Sequence, residues 1–143
     1  MTTVPLFTLT VVIALFQAAG PQGTATITLT GPDLNVSGEF PTTLCGSAYL
    51  KGQGMAYQVT AGDYQITIAS ETRSSGAVPL NQSNGRVNVV ATVNGKGKNL
   101  VRGPRNTGTL TVAADYRKAD ATLELRPIMG KETITLTAVF ACK

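Results

Sequence analysis

From residue 26 onward the chain alternates apolar and polar positions. In TITLTG, residues 26–31, Ile27 and Leu29 fall on one side while Thr26, Thr28 and Thr30 fall on the other. That period of two predicts a strand with one buried face. DLNVSGEF puts Leu34, Val36 and Phe40 together in the same way. Comparable strands are expected over 45–50, 55–60, 64–70, 86–93, 109–114, 121–126 and 132–142. Turn chemistry separates them: Gly31-Pro32-Asp33, Ala61-Gly62-Asp63, Asn84-Gly85, Asn94-Gly95 and Met129-Gly130. The Asn-Gly pairs suit tight hairpins whose central residues take positive φ.

No stretch beyond residue 25 carries a 3.6-residue apolar period, so residues 26–143 are expected to form a single all-β domain. Eight or nine short antiparallel strands, each with one apolar face, must pair those faces. An immunoglobulin-like or Greek-key β-sandwich is the expected solution, and a barrel is the alternative. Residues 71–84, ETRSSGAVPLNQSN, read as the loosest segment.

The amino terminus breaks the alternation. Residues 1–25, MTTVPLFTLTVVIALFQAAGPQGTA, hold a run from Leu6 to Phe16 that is apolar but for two threonines. Eleven residues suit the apolar region of a signal peptide and are short for a bilayer span. Small residues follow it. Cleavage after Ala25 places Gly23 and Ala25 at the preferred positions, whereas cleavage after Gly20 leaves Pro21 next in the chain. The leading segment, MTT, has no Lys or Arg. Residues 1–25 are therefore expected to be a leader helix, either a cleaved signal peptide or an uncleaved anchor. The anchor would be the chain's one link to a membrane.

The last strand ends on a cysteine. Ile134, Leu136, Ala138, Phe140 and Cys142 share a face, and Cys45 is the one other cysteine in the chain. In an exported β domain such a pair forms one bridge. It would span 97 residues and hold a terminal strand that would otherwise fray. An extracytoplasmic location, whether secreted, periplasmic or cell-surface, follows from leader and bridge together.

Composition then narrows the chemistry. The 143 residues include no His and no Trp, four Phe and four Tyr. Without His there is no Ser-His-Asp or Cys-His nucleophile and no His-containing zinc site. Phosphate-loop, dinucleotide and nucleophile-elbow motifs are all absent from the sequence. The eight acids are dispersed, so Asp115, Asp120 and Glu124 are the candidates a carboxylate mechanism would have to use. The expectation is a protein that is not an enzyme and needs no metal or other cofactor.

The formal net charge is +4. That balance, with so few aromatic residues, does not predict nucleic acid as a partner. One segment concentrates the charge: NGKGKNLVRGPR, residues 94–105, carries Lys96, Lys98, Arg102 and Arg105 and no acid. These four are candidate anion-binding residues for phosphate groups, anionic glycans or lipid headgroups, and the expected partners are an anionic lipid, a glycan or a surface protein. The other reading is a solvated hairpin whose charges discourage pairing between sheet edges.

The order of features resembles the LpqH-type small β-sandwich lipoprotein antigens of mycobacteria. An apolar leader precedes DLNVSGEF, Val36 and Gly38 approach Cys45, and ITLTAVFAC closes on Cys142. The similarity spans roughly residues 33–142. It implies a surface-exposed or secreted module with a small apolar pocket between sheets, and no catalytic residue. Those proteins carry a lipid-modified cysteine after the leader. This chain has none before Cys45, so lipid anchoring does not carry over.

These readings converge on a secreted or cell-surface module that binds a lipid, glycan or protein. The alternative is a structural subunit of a filament or coat. There, TATITLTG would add to a neighbour's open sheet edge.

Overall fold

Alternation at the start of the domain becomes the centre of a sheet. The computed structural model describes residues 22–49, 52–80, 85–101, 107–128 and 131–143. These residues form ten strands and no helix. The strands are β1 (Gly23–Gly31), β2 (Leu34–Tyr49), β3 (Gly54–Ala61), β4 (Tyr64–Ser70), β5 (Gly76–Leu80), β6 (Gly85–Val93), β7 (Lys96–Val101), β8 (Thr107–Val112), β9 (Lys118–Leu125) and β10 (Ile134–Cys142). Every ladder is antiparallel, and together they make one sheet in the order β5-β8-β9-β10-β1-β2-β3-β4-β6-β7. The sheet curls into a half-barrel.

Register puts the apolar set on the inner face. Ile27 lies opposite Ala138, Ala138 opposite Ala121, and Ala121 opposite Leu110, all buried. One residue along, Thr28, Thr137, Thr122 and Thr109 form the matching row on the outer face, all four exposed. A slip of one residue would exchange the two rows, so burial fixes the pairing.

The curl is made in β2. Its first half, Leu34 to Pro41, pairs with β1, and its second half, Thr42 to Tyr49, pairs with β3. Register shifts between Thr42 and Leu44 and between Cys45 and Ser47 mark where it bends, as bulges do. Gly46 sits at φ 66°, and a Cβ there would lie 2.8 Å from the Tyr116 carbonyl oxygen.

Several expectations are revised. The two strands expected at 34–40 and 45–50 are one strand, because the chain bends through bulges without leaving the ladder. The ten strands exceed the expected eight or nine. Two lie outside the strands expected: β5 falls within 71–84, read as the loosest segment, and β7 within the basic segment 94–105, read as a solvated hairpin. In β5 only Val78 and Leu80 are buried, and in β7 only Val101 is, too little alternation to reveal either from sequence. The sheet also starts at Gly23, ahead of the expected boundary at residue 26. Ala25 is fully buried, and the Gln22 N–H donates to the Thr42 carbonyl at 3.1 Å. The rest of the leader, residues 1–21, lies outside the described residues, as do the turn at Met129-Gly130 and Asn84.

Candidate functional site

Every strand of the half-barrel runs between two ends, and the sequence treats them differently. At one end β10 finishes and β2 bends. There Cys45 and Cys142 are joined, with Cα atoms 5.6 Å apart at a sequence separation of 97. The bridge ties the β3 side of the curl to β10, across the start of β1. Beneath it the rings of Tyr57 and Phe140, both fully buried, lie 5.0 Å apart at 42°. The Tyr57 hydroxyl donates to the Tyr116 carbonyl at 3.4 Å. Arg73 donates from Nη1 to the Gly46 carbonyl at 2.8 Å, and its guanidinium lies 4.3 Å from the centre of the Tyr116 ring. Burial pushes the Tyr57 phenol up to about 12, against an opposing pull from Arg73. The groups at this end serve closure.

The other end is open. It gathers the β1–β2 turn, the start of β4, the middle of β7 and the segments flanking 129–130 around a cavity of about 630 Å³. Ligand pockets commonly fall between about 300 and 1,000 Å³. Leu34 and Ile134, both nearly buried, form the floor with Tyr64 and Leu100. The register explains why these meet. Gly31 pairs with Leu34 across the β1–β2 turn, Ile134 begins β10 beside Leu125, and Tyr64 begins β4. Leu34, Tyr64 and Ile134 are each the first residue of their strand. Asp33 makes the β1–β2 turn possible by holding φ 55°, a conformation Asp tolerates better than most residues.

The rim is charged. Lys98, Lys131, Asp33 and Glu132 line it. Among the described residues no ion pair joins any of these four. Lys98 belongs to the inner row Tyr64–Ala91–Lys98, so its stem leans over the mouth. Lys96 is the next residue along that face of β7 and is exposed. The structure thus brings Lys98 of the basic segment to the cavity, with Lys96 beside it. Arg102 and Arg105 lie outside the described residues. The expectation named basic residues alone, whereas Asp33 and Glu132 share the rim with Lys98.

Sequence reasoning did not single out Leu34, Tyr64, Leu100, Ile134 or Lys131 as site residues. They come from separate turns and carry no motif. The one usable signal was positional: apolar residues abutting turns that carry charges. Asp120 and Glu124, raised as candidate acids, stand exposed on the outer face of β9, away from the cavity. Asp115 instead accepts from the Arg117 N–H at 3.0 Å within its turn. Among the described residues no cluster of three or more His, Cys, Asp or Glu is placed to hold a metal ion.

No protein-family model, curated protein or solved structure matches this chain.

Proposed function

We propose that the chain is an extracytoplasmic, non-catalytic binding module that presents its open-end cavity to a ligand. The two halves of the curled sheet, apolar face to apolar face, act as the layers of a sandwich, with β2 common to both. The observation that carries this reading is the cavity: an apolar floor under four charges that form no ion pair among the described residues. Charges left unpaired around a concave apolar surface favour a ligand that supplies both apolar contact and complementary polar groups. The bridge between Cys45 and Cys142 supports an oxidising location. Removal of a leader would fall upstream of Gln22, since cutting after Ala25 would strip three residues from β1, two of them buried.

The filament alternative is less well supported. Its donor segment, TATITLTG, is part of β1, which is hydrogen-bonded to β10 along one edge and to β2 along the other.

The test is a native mass-spectrometry and thermal-shift screen of the disulfide-intact protein against lysophospholipids, oligosaccharides and peptides. At least one class should bind and raise the melting temperature. That effect should weaken in Tyr64→Ser at the cavity wall and persist in Thr137→Ser on the outer face. No response to any class would sink the reading.

A further inference from the structure

The cavity runs along the open edge of β7, and we propose that it takes an extended acidic segment of a partner protein, added to the sheet as a further strand. The inference rests on the cavity being a ligand site and names the chemistry of its occupant.

The lining itself points to an edge. Lys98, Asn99 and Leu100 all border the cavity. A strand offers alternate residues to a cavity on its face, so three in succession mean that the strand's side borders it. β7 is terminal in the sheet order and has β6 as its only full ladder.

The phase of the ladder says which main-chain groups are free. Asn94 and Gly95 both hold positive φ, 52° and 76°, and close the hairpin at the pair Val93–Lys96. In such a hairpin the closing pair is hydrogen-bonded and bonding then alternates. Lys96 and Lys98 therefore bond to β6, while Gly97 and Asn99 direct N–H and C=O outward. The Thr92 N–H, opposite Gly97, donates away from β7 to the Asp63 carbonyl at 2.7 Å, as this phase requires.

The chain already uses this edge. Beyond the bulge near Val101, that residue forms an antiparallel bridge with Pro127, and the Ile128 N–H donates to the Leu100 carbonyl at 2.9 Å. Among the described residues, this strand addition is seen at Val101 and Leu100 and not at Gly97 or Asn99. An incoming strand would take up main-chain groups on this edge, and its side chains on the inner face would lie beside Lys96 and Lys98 over the cavity mouth.

Charge selects the partner. Lys96 and Lys98 stand two residues apart on one face of the edge strand, the spacing of side chains on an opposing strand. A second copy pairing edge to edge would set these lysines against their equivalents, which opposes self-assembly. Acidic residues on a partner strand would meet them favourably. Across the mouth, Asp33 and Glu132 repel the same acids and hold them to the β7 side.

The probe is a library of capped octapeptides alternating Asp or Glu with Val, Ile or Leu, titrated by fluorescence anisotropy into the disulfide-intact protein. Members should bind, and Lys98→Glu should weaken them about tenfold. Methylating the edge-facing amide nitrogens of a bound peptide should weaken it by at least about tenfold with side chains unchanged. The amides of Gly97 and Asn99 should gain protection from hydrogen exchange on binding. Indifference to methylation of either alternate set of amides, or unprotected Gly97 and Asn99, overturns strand addition. If lysophospholipid or oligosaccharide binds the cavity and no peptide does, this inference falls while the ligand-site reading stands. If nothing binds, both fall.

Discussion

Where β10 stops, the half-barrel is sealed by a covalent bridge, an aromatic pair and directed hydrogen bonds from Tyr57 and Arg73. Where β1 turns into β2, four charged side chains surround a cavity and satisfy none of one another. Both ends belong to the same strands, so strand propensity does not explain the contrast. What differs is where the polar groups find partners: inside the protein at the sealed end, and in solvent or a ligand at the open one. Stability should therefore reside disproportionately at the sealed end, and mutations there and at the open end should separate stability from binding.

The largest effect should come from the bridge. Replacing both Cys45 and Cys142 by Ser frees a loop of 97 residues, and the chain-entropy argument gives a loss of about 4 kcal/mol. Urea unfolding of the double variant beside the parent measures it. A loss under about 1 kcal/mol would mean that the unfolded chain is already constrained, and the contrast between ends would lose its main term.

Next is the buried phenol. Tyr57 titrates near 12 in the folded protein, against 10.0 for an ordinary phenol. The folded state thus holds its proton longer than the unfolded state does. The stability this confers is complete below pH 10 and disappears as pH rises toward 12, about 3 kcal/mol in all. Tyr57→Phe should remove this part of the alkaline loss. Unfolding free energies of parent and variant at neutral pH and between pH 10 and 12 test it. Parallel pH profiles would show that the hydroxyl is not desolvated.

The two ends also differ in how well the sequence announced them. The sealed end was legible: Cys142 falls on the apolar face of an alternating strand, and one other cysteine exists to meet it. Alternation also yielded most inner strands, because Ile27, Leu29, Leu136 and Phe140 mark a buried face without help from the rest of the chain. The open end was not legible. Its floor is Leu34, Tyr64, Leu100 and Ile134, residues far apart in sequence that meet only once β2 has bent. The bend itself depends on bulges at Thr42–Ser47, which leave no periodic trace. β7 was hidden for a related reason. An edge strand with exposed Lys96, Gly97, Lys98 and Asn99 buries too little to alternate, and its identity as a strand depends on β6 being beside it.

One group breaks the rule at the sealed end. Thr42 is buried where β2 leaves β1, and its Oγ1 has no hydrogen-bond partner among the described residues. A buried hydroxyl without a partner carries a desolvation cost that an isosteric methyl does not. Thr42→Val should raise stability by about 1 kcal/mol, read as a shift in urea midpoint at constant slope. A loss of similar size would show that the hydroxyl is satisfied in solution, for instance by an ordered water, and the sealed end would then have no exception.

The smallest effect on stability is expected at the open end, and it is the sharpest use of the contrast. Lys98 and Lys131 are exposed on the rim, and neither forms an ion pair among the described residues. Replacing either by Glu removes no internal bond, and surface changes of this kind stay within about 0.5 kcal/mol. Ligand affinity should nonetheless fall in Lys98→Glu, because the charge that faces an incoming anionic group is reversed. A residue whose reversal leaves the unfolding midpoint in place but abolishes binding is held there for a partner. A residue whose reversal unfolds the protein belongs to its framework. If Lys98→Glu behaved in the second way, a hidden internal partner for that lysine would have to exist, and the open end would be another form of closure.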